Sequence, residues 1–377
     1  MTALQDPAEL CFPQLLNASC RKPDVSWAEA VFVHFVLPPL SVLAVTLNLL
    51  AIVSVSYFRQ TPHSTNLLLL SLAVADFLVG FVLMPGYIYL RTSCWFLGGL
   101  VCSLYMCVTI VSACSSFGNM VLISADRFAA ICDPLHYHSR VTVGKVRLCI
   151  FLCWFCCTLY SNLLINSPMF QSDDSPSCHG TCVFFINNIG VVVGLIVNFI
   201  LPVSAIVVLY MRVFVVAVSQ ARSMRSHVTA VTLHRSVGRS KLKAARALGV
   251  VIVVFLMCFC PYYCVSLAGP NLIMSSLGVF AVSLLFLNPC VNPVIYALLY
   301  SWFRRAVKLI VTLQILQPGS RETNVLWRGH ESLKTGVMEE LMNDSKRIFC
   351  FINALNIISI PLFCCSIDSQ HCSFVLQ

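Results

Sequence analysis

The sequence predicts an all-α fold: a bundle of seven membrane-spanning helices with a short amphipathic eighth helix. Three observations carry that expectation. The 377 residues are 58% hydrophobic and only 10% charged, whereas a soluble domain carries roughly 25% charged residues. Seven windows approach the about 20 apolar residues needed to cross a bilayer core of roughly 30 Å. Lys and Arg concentrate in alternate loops, the pattern that marks the cytoplasmic side of a membrane.

The windows lie near 31–57, 66–89, 101–131, 146–165, 187–216, 244–267 and 273–300. The first 30 residues are too polar to hold the apolar core of a cleavable signal peptide, so the first span is read as the insertion signal itself. Loops after the odd-numbered spans hold most of the basic residues, including the stretch from Arg212 to Arg246 and the Arg304, Arg305, Lys308 group, while the other side has Arg21, Lys22 and Arg91. That asymmetry puts the amino terminus outside a multi-pass plasma-membrane protein. It also makes the net charge of +9 a cytoplasmic-face property held near lipid, not a nucleic-acid surface. The organisation expected is an extracellular tail over 1–30, a seven-span domain with its short cytoplasmic helix over 31–312, and a cytoplasmic tail over 313–377.

Most of the 21 cysteines sit inside apolar spans, as do Cys149, Cys153, Cys156, Cys157 and Cys260, where a free thiol behaves as a small hydrophobe. Cys11, Cys20, Cys102, Cys178 and Cys182 fall on the oxidising side, where disulfides persist. Asn17-Ala18-Ser19 is a glycosylation acceptor in that tail; the second sequon, at Asn343, lies on the inner side and is expected to be inert. Cys178 and Cys182 have no matching His or Cys pair nearby in sequence, so a zinc site is not expected.

A charge inside a membrane helix is expensive and points to function by default. Asp76 lies in mid-span, and Asp126-Arg127 ends the third span. Along that span Cys102, Thr109, Ala113, Ser116, Met120, Ile123 and Arg127 recur at steps of three, four or seven, which places them on one helical stripe. From Cys102 to Arg127 is roughly 37 Å at about 1.5 Å per residue. One rigid element thus joins an outer cysteine to an inner charge.

Asp126-Arg127-Phe128 resembles the Asp-Arg-Tyr triplet of rhodopsin-type G-protein-coupled receptors, and Asn292-Pro293-Val294-Ile295-Tyr296 matches their Asn-Pro-x-x-Tyr motif. Asn48, Asp76, Trp154, Pro202 with Tyr210, and Pro261 each fall where that family has its marker residue for one helix. Finer features resemble the trace amine-associated receptors, as a divergent, fish-type member. These are Asn288-Pro289-Cys290-Val291-Asn292-Pro293 followed by Tyr296, Tyr300, Trp302 and Phe303; Cys11-Phe12-Pro13-Gln14; Cys178-x-Gly180-x-Cys182; and Lys243-Ala244-Ala245-Arg246-x-Leu248-Gly249. Pro289 stands where that group usually has Ser.

The resemblance implies disulfides Cys102–Cys182 and Cys20–Cys178, although spacing alone leaves open which loop cysteine takes which partner. It implies a polar cluster of Asp76, Ser116, Asn288 and Asn292, which reads either as an allosteric sodium site or as a water-filled hydrogen-bond network; no other cofactor is expected. It implies a switch in which Arg127, held through Asp126, is released toward a heterotrimeric G protein while Tyr210 and Tyr296 rearrange. Pro261, which removes a helix hydrogen bond, would be the hinge, with Phe255 and Phe259 packed beside it and Asn292-Pro293 opposite. Phe259 replaces a common Trp.

The ligand pocket expected from the resemblance comprises Thr109, Ala113, Gly194, Asn198, Phe259, Tyr262, Tyr263 and Phe286, with Ser266 nearby. Aminergic relatives carry an Asp at the position of Thr109, and some fish-type relatives carry one at that of Gly194. Neither residue here is acidic, so the deep pocket is expected to be uncharged, with Asp173 and Asp174 in the outer loop as the available carboxylates. Each polar group there has an alternative reading as plain helix-to-helix contact. The ligand expected is a small odorant or amine-like molecule, read out as a stimulatory rise in cyclic AMP.

The tail after Gln317 departs from the family; its apolar window 348–367 is interrupted by Asn353, Asn356 and Pro361, so it reads as an eighth span or a disordered extension, and Cys364 and Cys365 sit in no firm lipidation motif. An enzyme reading finds no phosphate loop, metal-binding His pair or nucleophile elbow. A transporter would show repeated halves with broken helices at matching positions, and none is evident. A non-signalling pseudoreceptor remains as an alternative because of Thr109, Pro289 and the tail.

Overall fold

In a computed structural model, residues 10–15, 19–23, 25–57, 64–167, 178–182, 188–226, 232–268, 275–299 and 301–314 are described. The chain divides into two units, Met1–Leu326 and Trp327–Gln377, and all described residues belong to the first. Asn17, Asp173, Asp174 and the tail features beyond 314 lie outside the described residues.

Seven helices form the bundle. Trp27–Tyr57, Ser64–Thr92, Gly98–Cys132 and Val143–Ile165 are the first four spans. The fifth covers 188–226, the sixth is Thr232–Ala268 and the seventh Ser276–Leu299, followed by the amphipathic helix Ser301–Val311. Six are long and apolar enough to cross a membrane, and the apolar part of the sixth among the described residues is Ile252–Ala268. The protein is a multi-pass membrane protein with an all-α fold.

Several helices outrun the predicted windows. The sixth begins at Thr232, not near 244, and the fifth continues to Ser226. Hydropathy marks the stretch that lipid requires, whereas a helix continues wherever its backbone bonds can. The first span starts at Trp27 instead of 31, because the Ser26 hydroxyl accepts the Glu29 N–H at 3.4 Å. Ser26-Trp27-Ala28-Glu29 is the first half of a capping box. This correction brings Glu29 into the helix.

The bundle has an apolar outer surface, as lipid requires, and a largely apolar interior in which a few polar side chains join helices. Asn48, Asp76, Ser112, Asn119, Asn288 and Asn292 are buried, while Phe151, Phe155 and Leu163 of the fourth span are exposed. The third span runs through the middle, packing against the second, fourth and fifth; the seventh closes the ring against the first and sixth. Directional bonds lock this order. Trp154 Nε1 donates to Ser71 Oγ at 3.0 Å, tying the fourth span to the second. Pro293 has no N–H for the carbonyl four residues earlier, that of Pro289, and Asn48 Nδ2 donates to this freed oxygen at 2.9 Å.

At the amino-terminal face three disulfides gather tail, loops and third span: Cys102–Cys182, Cys20–Cys178 and Cys11–Cys94, with Cα separations of 5.6, 5.0 and 5.7 Å. The last was absent from the sequence reading, because Cys94 was not singled out. Gly180 takes φ +113° and lies so close to Cys11 that a Cβ would come within 2.5 Å of that residue's own. Its carbonyl accepts the Trp95 N–H at 2.8 Å, which pins the short Cys-x-Gly-x-Cys turn over the end of the third span.

Candidate functional site: a cavity and a buried Asp-Arg pair joined by one helix

A cavity of about 530 Å³ opens among the spans, within the size range of small-molecule pockets. Seven of the eight expected pocket residues line it: Thr109, Ala113, Asn198, Phe259, Tyr262, Tyr263 and Phe286. Gly194 does not, and a Cβ there would meet only Asn198 Nδ2, at 3.8 Å. The Thr109 hydroxyl donates back to its own helix at Tyr105 O, 2.8 Å. Ser266 does the same to Tyr262 O at 2.8 Å and is not part of the lining. Asn198 is fixed from two sides, donating to Tyr160 Oη at 3.1 Å and accepting from Cys114 Sγ at 3.0 Å.

The expectation of an uncharged deep pocket did not extend to the two ends of the cavity, and both carry charge. Glu29 and Arg91 line the cavity at one end, beside Tyr87 and Tyr105, and Asp76 lines the other. Glu29 and Arg91 form a two-point ion pair: Nη2 donates to Oε2 at 2.8 Å, and Nε donates to Oε1. Side-chain exposures are 7% for Glu29 and 26% for Arg91. The pair is almost closed from solvent on its acidic side. Sequence reasoning missed it because the two residues are 62 positions apart and Glu29 was assigned to the tail. The Ser26–Glu29 capping pattern was the available signal.

Beneath the pocket an aromatic layer links the third, fifth and sixth spans. The Phe117 ring lies 4.8 Å from Phe255, 4.7 Å from Phe259 and 6.2 Å from Phe199. Phe255 and Phe259 are 4.5 Å apart, one turn along the helix that contains Pro261. Such pairs contribute about 0.5–1.5 kcal/mol each beyond their burial. Phe117 was not predicted, although it falls four residues after Ala113 and three before Met120, and that helical period was the available signal.

The polar cluster is continuous with this cavity. Asp76, Ser116 and Asn288 all line it, and Asn292 Nδ2 donates to Asp76 Oδ2 at 2.7 Å. Asp76 Oδ1 and Asn288 Oδ1 are buried without a hydrogen-bonding protein partner. Pro289 adds no side-chain hydroxyl to the cluster, and its backbone carbonyl, freed by Pro293, accepts from Asn48.

At the opposite end of the third span, Asp126 is buried and its carboxylate is crowded with donors. Thr65 Oγ1 donates to Oδ2 at 2.8 Å, and Tyr137 Oη and Ser64 Oγ donate to Oδ1 at 2.7 and 3.3 Å. Arg127 Nε donates to Oδ2 at 3.1 Å, and its Nη2 reaches both Asp126 and Thr65. Tyr137 comes from Pro134–Arg140, a helix in the loop after the third span. The Tyr210 hydroxyl packs onto Gly249 of the sixth span so closely that any Cβ would overlap it. Tyr296 is buried, its ring centroid 6.3 Å from that of Phe303 of the amphipathic helix.

A seven-helix bundle with a ligand-sized cavity at one end and an ion-paired Asp126-Arg127 at the other defines a class, and the sequence matches of that class agree. The model of the 7 transmembrane receptor (rhodopsin family) matches residues 47–296, and the chain belongs to that family. Trace amine-associated receptor 13c of Danio rerio is 32% identical over 339 residues, 85% of this chain and 97% of the relative. Trace amine-associated receptor 6 of Homo sapiens is 32% identical over 337 residues (84% and 95%), and receptor 8b of Mus musculus 34% over 333 (84% and 96%). Within the family the chain is of the trace amine-associated receptor type, a group of receptors and not of enzymes.

Proposed function

We propose that this receptor binds a small molecule in the 530 Å³ cavity from the extracellular side and activates a stimulatory heterotrimeric G protein, raising cyclic AMP, in an olfactory type of role. The observation that carries this reading is that one helix, Gly98–Cys132, supplies both the cavity wall at Thr109 and Ala113 and the locked Arg127. A ligand shifts a two-state equilibrium only by its differential affinity for the two states. Here a ligand bearing on Phe259 and Tyr263 would act through the Phe117–Phe255 layer on the Pro261 hinge. Outward movement of the sixth span would then separate Gly249 from Tyr210 and expose Arg127. The amino terminus is placed outside the plasma membrane on the charge asymmetry of the loops.

The cluster around Asp76 fits a monovalent hard cation, which takes oxygen ligands. Asp76 Oδ1 and Asn288 Oδ1 are buried oxygens lacking a protein donor, and Ser116 lines the same space. A bound sodium ion would supply the charge that neutralises Asp76 in the resting state. Expression in cultured cells with a cyclic-AMP readout against a panel of odorants, amines and amino acids tests the whole reading. A ligand-dependent rise is expected, and silence at verified surface expression would favour a non-signalling protein.

A further inference from the structure

The cavity's charged end asks for a ligand of particular chemistry. Glu29 and Arg91 both line the cavity, and each spends only part of its bonding capacity on the other. A guanidinium has five N–H donors and a carboxylate about four lone-pair sites, whereas their contact uses two of each and the Tyr87 hydroxyl takes one more site on Glu29. The pair is also electrically neutral as a unit. A plain ammonium ion approaching Glu29 meets the positive Arg91 beside it, and a plain carboxylate approaching Arg91 meets Glu29. A molecule carrying both charges has neither problem, since it can lay its own dipole antiparallel to that of the pair.

We propose that the Glu29–Arg91 pair is the head-group site for a zwitterionic, amino-acid-like ligand, its ammonium on Glu29, its carboxylate on Arg91 and its apolar side chain directed toward Tyr262, Tyr263 and Phe286. This rests on the cavity being the ligand pocket, as proposed above. The pair itself need not break. Arg91, the more exposed member at 26% against 7%, can tilt to present its remaining N–H groups while Glu29 stays fixed in the first turn of its helix. The cavity behind it is deep: Arg91 and Asp76 on the second span are separated by roughly 22 Å of helix axis, enough to hold an aromatic side chain above the Asp76 cluster. The carboxylate at this end also replaces, from a different helix, the acid that Thr109 does not supply.

A matched set tests it: phenylalanine, phenethylamine, which lacks the carboxylate, and 3-phenylpropionate, which lacks the ammonium. Binding to the purified full-length receptor in lipid nanodiscs is measured by titration calorimetry and thermal shift. One charge-assisted contact corresponds to a factor of roughly 10 to 100 in affinity. Phenylalanine should bind tighter than either analogue by that factor, and Glu29→Gln and Arg91→Gln should each remove the advantage. Since either single change could unfold the protein, the volume-matched Glu29→Leu/Arg91→Met double variant serves as a second arm, because replacing a buried pair by apolar residues is usually tolerated. It should fold and show no preference within the set. Equal binding of phenethylamine and phenylalanine, no binding of any of the three, or a preference that survives the double change would overturn the proposal. Guanine-nucleotide exchange on a G protein, recorded in parallel, separates the two readings. Phenylalanine binding without exchange would sink the receptor function and leave the head-group site, whereas exchange driven by the amine alone would do the reverse.

Discussion

The two ends of the bundle each hold a carboxylate paired with an arginine, and the pairs are built in opposite ways. Asp126 and Arg127 are neighbours in sequence, and their carboxylate is further held by Thr65, Tyr137 and Ser64. Glu29 and Arg91 are 62 positions apart, come from the first two spans, and face a cavity. The first pair is enclosed by protein donors and suits a lock, which must hold one state until the helices move. The second has bonding capacity turned toward open space and suits recognition. Chemical identity is therefore the same at both ends, and the surroundings assign the roles.

The largest expected effect separates the pairs by signalling. Arg127→Ala should abolish G-protein activation, lowering the agonist response at least about 100-fold, or about 2.7 kcal/mol, while surface expression stays near wild type. A cyclic-AMP assay beside surface immunolabelling checks this, and unchanged signalling would remove the lock from the mechanism.

Stability should rank the pairs in the same order. Asp126→Ala removes the buried acceptor shared by Arg127, Thr65 and Tyr137, with an expected cost of about 3–5 kcal/mol for a broken buried pair and a raised basal signal. Glu29→Ala leaves Arg91, only slightly more exposed than Arg127 (26% against 19%), facing an open cavity, and its cost should be about 1–3 kcal/mol. Thermal unfolding of both variants in the same detergent compares them, and an equal or inverted order would show that enclosure does not distinguish the two ends.

The disulfides above the recognition end come next. Cys102→Ser opens a bridge between residues 80 apart, expected to contribute about 2–4 kcal/mol, and should lose surface delivery or ligand response. Cys94→Ser opens a bridge of nearly the same separation, 83, but frees only the tail and the segment before the third span. Its loss should leave signalling in place with weaker ligand binding. Flow cytometry with dose–response curves decides whether both bridges matter alike.

The smallest effect lies at the lock's moving side. Gly249→Ala pushes a methyl group into the Tyr210 hydroxyl, with an overpacking cost of about 1–3 kcal/mol. Removing that hydroxyl in a Tyr210→Phe background should recover part of it. A double-mutant cycle on unfolding temperature reads the coupling, and strict additivity would show that the contact carries no energy.

Legibility in the sequence followed the same divide. The spans, the Asp126–Arg127 pair and the stripe along the third span were readable because each depends on residues close in sequence or on a helical period. Seven pocket residues were reached through family resemblance, which transfers positions already known to meet in space. Glu29 and Arg91 were not, since no periodicity marks them, and Phe117, though it shares the period of the third-span stripe, carries no polar or charged group that would single it out. Gly194 was drawn into the pocket by the same resemblance, and the structure leaves it outside the lining.

By itself the sequence determined the solvent, the number of helices and the Asp126-Arg127 pair at the inner end of the third span. Lipid demands about 20 apolar residues per crossing, and an aspartate next to an arginine at a helix end needs no fold to bring the two together. Only the tertiary structure decided the charge of the cavity, the third disulfide and the joining of the pocket to the Asp76 cluster. Each of these needs side chains from helices far apart in sequence to meet. A Ser26 cap that starts the first helix one turn early turns Glu29 toward Arg91, and no local pattern could announce its partner.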